Sequence, residues 1–448
     1  VGRYFGTDGI RGVANLDLTP EVAFRVGRAA GAGLGRSGGP FFVGRDSRLS
    51  GPMLEAALIA GICSTGASVE LGGVLPTPAV ACLTRARGAA CGIVISASHN
   101  PVEDNGIKFF GGDGFKLPDT VEDAIEALLE RDDLPRPSGV GVGTIRAVSE
   151  AGERYLEHVL ALAAGRLDGL RLVVDCAFGA ASRLAPRLWR ALGASVIAIN
   201  DEPDGTRINV NCGSTHLEPL RQAVVSSGAH LGFAHDGDAD RVLAVDEEGE
   251  VVDGDTIMGM CALDRHRRGV LRTPVVVATV MSNVGLEQAL SAAGIRLERT
   301  RVGDRYVLER MRAIGATLGG EQSGHVIFLE HTTTGDGLVT AVEVTNIMVR
   351  TGQALSTLRK AIPRFPQVLR NVRIAARSEV GEIVEAPEVA RAVAEAQARL
   401  ARGGRILVRP SGTEPLIRVM VEAPAQEDAE AVADRVAGVI ADRFGVRG

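Results

Sequence analysis

The sequence predicts an α/β protein of four domains, three alike with mixed, parallel-rich sheets and a fourth, smaller α+β domain at the C-terminus. Three observations carry this. The chain has 448 residues, room for roughly two to four domains of about 100–200 residues each. Short apolar strands alternate with amphipathic helices in three successive stretches, the pattern of α/β units with parallel-rich sheets. Near the end the pattern changes to strands that flank one helix and precede another.

In chain order, "PFFVGRD" reads as a strand and "SGPMLEAALIAGICSTG" as a helix capped by Ser50, with Pro52 in its first turn. "CGIVIS" is a strand and "DTVEDAIEALLE" a helix with an acidic start. A second cycle runs "RLVVDC", "ASRLAPRLWRALG", "SVIAIN", "LEPLRQAVVSSG" and "HLGFAHD". A third runs "TPVVVATV", "VGLEQALSAAG", "IRLERTRVGD" and "RYVLERMRAIG". The last part has strands "RNVRIAAR", "GRILVRPSG" and "EPLIRVMVEA" with helices "APEVARAVAEAQARLAR" and "AQEDAEAVADRVAGVIADRF". Stretches mixing Pro, Gly or charge at 131–143, 246–255 and 361–367 read as linkers. The expected domains are 1–145, 146–252, 253–365 and 366–448.

Composition narrows the function. A net charge of −6 argues against a general nucleic-acid binder, which would carry a basic stripe. No apolar stretch reaches the roughly 18 residues of a membrane span, and no leader peptide is expected. Cys63, Cys82, Cys91, Cys176, Cys212 and Cys261 form no C-x-x-C pair, so they read as reduced thiols of a cytoplasmic protein. A homodimer is the assembly expected.

Four short motifs carry chemistry. "HDGDAD" places Asp236, Asp238 and Asp240 at alternate positions. In an extended segment such side chains sit about 6.6 Å apart. Oxygens sharing one Mg²⁺ lie at most about 4.2 Å apart. The loop must therefore curve, as Gly237 and Ala239 permit. A calcium EF-hand fits poorly, because Arg241 stands where its loop needs Gly. "ISASHNP", Ile95 to Pro101, ends an apolar strand with Ser96, Ser98 and His99. Neither serine stands in a Gly-x-Ser-x-Gly elbow. Neighbours in an extended chain face opposite ways, so Ser98 and His99 make a poor hydrolase pair. A serine carrying a phosphoryl group needs a divalent metal, cations and N–H donors nearby.

"RPSGTEP" joins two strands, and Arg409, Ser411, Gly412 and Thr413 suit a phosphate. In "GGEQSGH", Glu321 and Ser323 alternate and suit adjacent sugar hydroxyls, with His325 beside them. Arg11, Arg45, Arg48 and Lys108 each stand near glycine, which suggests backbone packed closely around a ligand.

In this order, over nearly the whole chain, "SASHNP", "DGDADR", "GEQSGH" and "RPSGTEP" resemble the loops of the α-D-phosphohexomutase superfamily. The resemblance implies three related α/β domains and a smaller fourth around a central cleft. It implies a phosphorylated Ser98, and one Mg²⁺ per active site held by Asp236, Asp238, Asp240 and a Ser98 phosphate oxygen. It implies sugar contacts from Glu321 and Ser323, and phosphate contacts from Arg409, Ser411, Gly412 and Thr413. Arg11, Lys108, Arg241 and His325 would line the cleft, with Lys108 a candidate acid/base. "FGTDGIRG", "VGDRYV" and "TTTGDG" resemble the branch that interconverts glucosamine 1-phosphate and glucosamine 6-phosphate through a 1,6-bisphosphate, feeding UDP-N-acetylglucosamine and cell-wall precursor synthesis. The alternative is the phosphomannomutase/phosphoglucomutase branch. On either reading the partner is a phosphorylated sugar, not nucleic acid or membrane.

Overall fold

The structure, a computed structural model, describes all residues except 1–3, 7, 36–37, 376–379, 401–402, 412–414 and 446–448. It divides into two compact units, residues 1–281 with 294–361 and residues 282–293 with 362–448.

The first unit holds three sheets. In the first, β1 (Phe5–Gly6), β2 (Gly9–Val13), β3 (Phe41–Arg45), β4 (Val69–Val74), β5 (Cys91–Ile95), β6 (Asp104–Gly111) and β7 (Ile145–Ala147) lie in the order β1-β2-β6-β5-β3-β4-β7. Strands β5, β3, β4 and β7 are parallel, and β6 runs antiparallel to β5. Helices α1 (Pro20–Leu34), α2 (Gly51–Cys63), α3 (Thr77–Ala86) and α4 (Asp119–Glu126) belong to it. Strand β7 carries this sheet two residues past the boundary expected at 145.

The second sheet contains β8 (Arg171–Asp175), β9 (Ser195–Ile199), β10 (Leu231–His235), β11 (Val242–Asp246) and β12 (Val251–Val252), in the order β12-β11-β10-β8-β9. Helices α5 (Ala151–Leu160), α6 (Ala185–Ala191) and α7 (Glu218–Ser227) accompany it. The stretch 246–255 is a hairpin of this sheet rather than a linker, and it leads into α8 (Gly254–Arg267). Helix α9 (Val284–Ala292) falls in the second unit. The third sheet has β13 (Val275–Thr279), β14 (Arg296–Thr300), β15 (Leu318–Gly320) and β16 (Val326–Phe328), in the order β14-β13-β15-β16, with α10 (Asp304–Ile314), α11 (Gly337–Thr351) and α12 (Leu355–Arg359).

One construction recurs in all three sheets. A strand parallel to its inner neighbour turns into an antiparallel strand, as β5 into β6, β10 into β11 and β15 into β16. The three turns so made are 96–103, 236–241 and 321–325. They hold the serine, carboxylate and Glu-x-Ser motifs. A repeated fold thus presents three different loops from equivalent strand ends.

In the second unit, β17 (Gln367–Arg373), β18 (Arg405–Pro410) and β19 (Leu416–Glu422) form an antiparallel sheet in the order β17-β19-β18. Helices α13 (Val380–Val384), α14 (Pro387–Leu400) and α15 (Gln426–Phe444) go with it. Helix α9 joins this unit through Glu422, whose carboxylate accepts the Val284 N–H at 3.0 Å. No described helix is long and apolar enough to cross a membrane.

Two sequence expectations fail locally. Ser50 does not cap α2, since its backbone is already helical and its hydroxyl instead accepts Asn105 Nδ2 at 2.8 Å. The helices expected over 119–130 and 181–193 are shorter, at 119–126 and 185–191. Helices α1 and α2 meet at glycines. A Cβ on Gly27 would lie 2.1 Å from the Leu58 carbonyl oxygen, and one on Gly61 would lie 2.1 Å from that of Phe24. Gly27→Ala and Gly61→Ala are each expected to destabilise the fold by about 1–3 kcal/mol through overpacking. Chemical denaturation measures this, and unchanged midpoints in both would rule out so close a crossing.

Candidate active site

Strand β5 delivers the serine loop. Ser96 is buried and occupied, since its Oγ donates to Asp46 Oδ2 at 2.7 Å and accepts the Ser98 N–H at 2.9 Å. Ser98 adopts a left-handed backbone, φ +53°. That conformation turns its Oγ to Asp236 Oδ2, to which it donates at 2.6 Å. It also brings Oγ within 3.3 Å of His99 Nδ1, so the opposite-faces expectation for Ser98 and His99 does not hold. It assumed an extended backbone. His99 is nevertheless pushed down to about 4 by burial and by the Arg241 cation. It is a neutral neighbour at pH 7. Arg45 pairs with Glu55 at 3.3 Å, and fully buried Arg48 pairs with Asp46 at 3.0 Å.

Between β10 and β11 the loop curves as the metal chemistry requires. Ala239 is left-handed, φ +54°, and its N–H closes a turn on the Asp236 carbonyl at 3.1 Å. One oxygen from each of Asp236, Asp238 and Asp240 then falls within 4.8 Å of the others. Gly237 serves by close approach. A Cβ there would lie 2.7 Å from the Ser98 carbonyl oxygen. Asp238 Oδ2 is taken by Thr77 Oγ1 at 2.6 Å and Lys108 Nζ at 3.0 Å. Asp238 Oδ1 and Asp240 Oδ1 are buried without a hydrogen-bond donor among the described residues. Burial, with Asp240 and Asp238 beside it, holds the Asp236 carboxyl well above the usual range. Three buried carboxylates with two orphaned oxygens fit a hard divalent cation such as Mg²⁺.

A closed ring of charges surrounds this loop. Lys108 reaches Asp8 at 3.2 Å and Asp240 at 3.7 Å. Lys116 bridges Asp8 and Asp304. His325 completes the circuit, with Nε2 3.5 Å from Asp304 and Nδ1 3.6 Å from Asp240. Arg11 donates to Asp8 and, at 3.4 Å, to Asn100 Oδ1. Arg241 Nε lies 3.8 Å from Asp240.

The ring shifts how its members titrate. Burial alone would lower Lys108, but Asp238, Asp8 and Asp240 outweigh it and hold the ammonium above its usual value. Lys108, expected as a candidate acid/base, sits among three carboxylates in this arrangement. Burial would raise Asp240, yet Lys108, His325 and Arg241 hold it well below the carboxylate range. The Gly335 N–H, 3.0 Å from His325 Nε2, suits a neutral ring. The ionic Asp240 and Asp304 overcome both this and burial, and His325 is raised.

The third loop rests on the second. Gly324 makes a tight turn to Glu321, N–H to carbonyl at 3.0 Å, and its own carbonyl accepts Val242 N–H of β11 at 3.1 Å. Glu321 is half-buried, with Oε1 accepting the Gly303 N–H at 3.1 Å, and Ser323 is exposed at the tip.

In the second unit, Arg409 on β18 stands opposite Arg418 on β19. Partial burial and the Arg418 charge lower the Arg409 pKa from its usual value. Such paired guanidinium groups suit a phosphate dianion. Ser411 is buried, with its N–H on the Leu416 carbonyl at 2.9 Å. Gly412 and Thr413 lie outside the described residues.

The structure therefore brings Ser98, Asp236, Asp238, Asp240, Lys108, Arg11, Arg241 and His325 into one cluster. Sequence reasoning missed Asp8, Thr77, Lys116 and Asp304. Asp8 and Asp304 stood inside quoted motifs, "FGTDGIRG" and "VGDRYV". Nothing local marked Thr77 or Lys116.

Comparison with known proteins agrees along the whole chain. Residues 2–136, 153–249 and 253–365 match the phosphoglucomutase/phosphomannomutase α/β/α domains I, II and III. Residues 369–439 match that family's C-terminal domain. The chain is 57% identical over 434 residues to the phosphoglucosamine mutase of Moorella thermoacetica, covering 96% of this chain and 97% of that one. It is 54% identical over 446 residues to that of Rhodococcus jostii, covering 98% and 100%. A phosphoglucomutase/phosphomannomutase family protein from Burkholderia thailandensis shares the fold, with TM-score 0.81 at 24% identity over 97% of each chain. So does an Aspergillus fumigatus N-acetylphosphoglucosamine mutase solved with GlcNAc-6P and magnesium, with TM-score 0.69 at 20% identity over 98% of this chain and 95% of that one. With relatives this similar over nearly its full length, the chain belongs to the phosphoglucosamine mutases of the phosphoglucomutase/phosphomannomutase family.

Proposed function

We propose that Ser98 carries the phosphoryl group by which this chain interconverts α-D-glucosamine 1-phosphate and D-glucosamine 6-phosphate. The observation that carries this is the Ser98 hydroxyl, 2.6 Å from Asp236 and beside two further buried carboxylates. Phosphoserine brings about −1.5 to −2 charge. Lys108, Arg11 and Arg241 stand ready to offset it and the charge spreading over a phosphoryl group in transfer. Asp236, Asp238 and Asp240 would hold Mg²⁺, which when bound neutralises phosphate charge.

The atoms balance without net release. Phospho-Ser98 gives its phosphoryl to the 6-hydroxyl of glucosamine 1-phosphate, making the 1,6-bisphosphate. The 6-hydroxyl proton ends on the Ser98 oxygen as the phosphoryl leaves it, so Ser98 becomes a free hydroxyl. The bisphosphate turns end for end, and its 1-phosphoryl returns to the Ser98 oxygen, leaving glucosamine 6-phosphate. Glu321 and Ser323 suit the sugar hydroxyls, and His325 suits the transferring end. Arg409, Ser411, Gly412 and Thr413 would take the phosphate that is not reacting. A hydroxyl-rich, glycine-containing loop can accept either end of the sugar. The proposed domains are 1–145, 146–252, 253–365 and 366–448, with β7 extending the first sheet to residue 147. Net charge −6 and a phosphorylated hexosamine substrate suit a cytoplasmic enzyme.

Intact-protein mass spectrometry with site mapping tests the assignment. It should find one phosphate, on Ser98. A phosphate on Ser96 or Ser323 would sink it. Among glucosamine, glucose and mannose 1-phosphates, the first should show the highest kcat/KM. Glucose 1-phosphate ranking first would move the chain to the alternative branch.

A further inference from the structure

The Ser98 peptide unit is gripped from both sides by groups that take no part in the charge ring. Its N–H donates to Ser96 Oγ at 2.9 Å, and Ser96 is itself fixed by its 2.7 Å bond to buried Asp46. Its carbonyl accepts Arg48 Nη2 at 3.0 Å and Asn209 Nδ2 at 2.9 Å. Arg48 also takes the Asp104 carbonyl at 2.8 Å, the Asn100 carbonyl at 2.8 Å and the Pro101 carbonyl. Asn209 comes from the 200–213 segment between β9 and α7. It too is left-handed, φ +62°. Gly237 closes the back, where a Cβ would lie 2.7 Å from the Ser98 carbonyl oxygen and 2.8 Å from Asn209 Nδ2.

A left-handed non-glycine residue costs energy and persists only where its surroundings over-determine it. Here they do. An extended Ser98 would break both peptide contacts and swing its Oγ off Asp236. We infer that Ser96 and Asn209 are positioning residues for phosphoryl transfer, locking the Ser98 peptide left-handed so that its oxygen stays aimed at the carboxylate loop. This rests on Ser98 as the phosphate carrier. Arg48 and Asp46 serve the same end, but their buried ion pair makes them poor test sites.

The geometry makes the effect one on rate. A reacting atom displaced by about 1 Å can cost about 10²-fold, while ground-state binding by other loops is untouched. Two variants separate this from general destabilisation. Ser96→Ala removes one hydroxyl. Asn209→Gly removes the amide yet accepts the positive φ without strain. Each is expected to lower kcat by about 10- to 100-fold, with KM for glucosamine 1-phosphate and the Mg²⁺ requirement within about twofold of the parent. Single-turnover transfer from ³²P-labelled enzyme to glucosamine 1-phosphate should slow by the same factor, with the label still on Ser98.

Parental kcat in both variants would overturn the inference, as would a loss confined to KM. Ser98→Ala is run alongside. If it stays active, the carrier assignment fails. If it is dead while Ser96→Ala and Asn209→Gly run at full speed, only the positioning inference fails.

Discussion

Ser98→Ala is expected to lower kcat by at least about four orders of magnitude, the scale of losing a covalent nucleophile, and to leave the protein without covalent phosphate. Ser96 cannot substitute. It is fully buried, donates to Asp46 and accepts from Ser98. His99 is held neutral by burial and the Arg241 charge. The fold should be undisturbed, because Ala keeps the Ser98 N–H and carbonyl that Ser96, Arg48 and Asn209 hold. The check is steady-state kcat for glucosamine 1-phosphate conversion, with phosphate content by mass spectrometry. Activity within about tenfold of the parent, or phosphate retained, would remove Ser98 from the mechanism.

Asp238→Asn is expected to lower kcat by about 10²- to 10³-fold and to raise the Mg²⁺ concentration needed for half-maximal activity by at least about tenfold. Charge drives both effects. Asp238 is one of three buried carboxylates whose oxygens cluster within 4.8 Å, and its Oδ1 has no hydrogen-bond donor among the described residues. An amide is nearly the same shape but carries no charge for a hard cation. Lys108 also loses the foremost of the carboxylates that hold it protonated. Thr77 can still donate to the amide oxygen, so the loop should keep its path. Calorimetric Mg²⁺ titration and Mg²⁺-dependent kcat are the measurements. If Mg²⁺ dependence is unchanged, the three-carboxylate site does not hold the ion.

Much of this molecule can be read locally, and the failures have physical causes. The strand expectations "CGIVIS", "RLVVDC" and "GRILVRPSG" succeed because a run of apolar residues between turn signals needs no distant partner to be recognised. Helices α1, α3, α5, α8, α11, α12 and α13 escaped notice, and for α11 burial gives the reason. From Gly337 to Met348 every residue of α11 is buried. A helix covered on all sides has no polar stripe to set its period. Ser50 looked like a cap because Ser before a helix often is one, but only the fold could offer it Asn105 instead. The Ser98–His99 argument failed at a single dihedral angle, which depends on contacts from residues 46–48 and 209.

Chemistry and rhythm can be read from the amino-acid order alone. Alternating strands and helices imply the α/β class, and "ISASHNP", "HDGDAD" and "GGEQSGH" name the groups able to carry phosphate, bind a cation and meet a sugar. Those are properties of short segments. Folding in three dimensions makes these segments equivalent turns of three sheets and brings them together. It alone closed Asp8, Lys116, Asp304, His325, Asp240 and Lys108 into a ring. It also set Lys108 against Asp8, Asp238 and Asp240. The reason is that a charge's state depends on what lies within a few ångströms of it, and here those neighbours are up to about two hundred residues away in the chain.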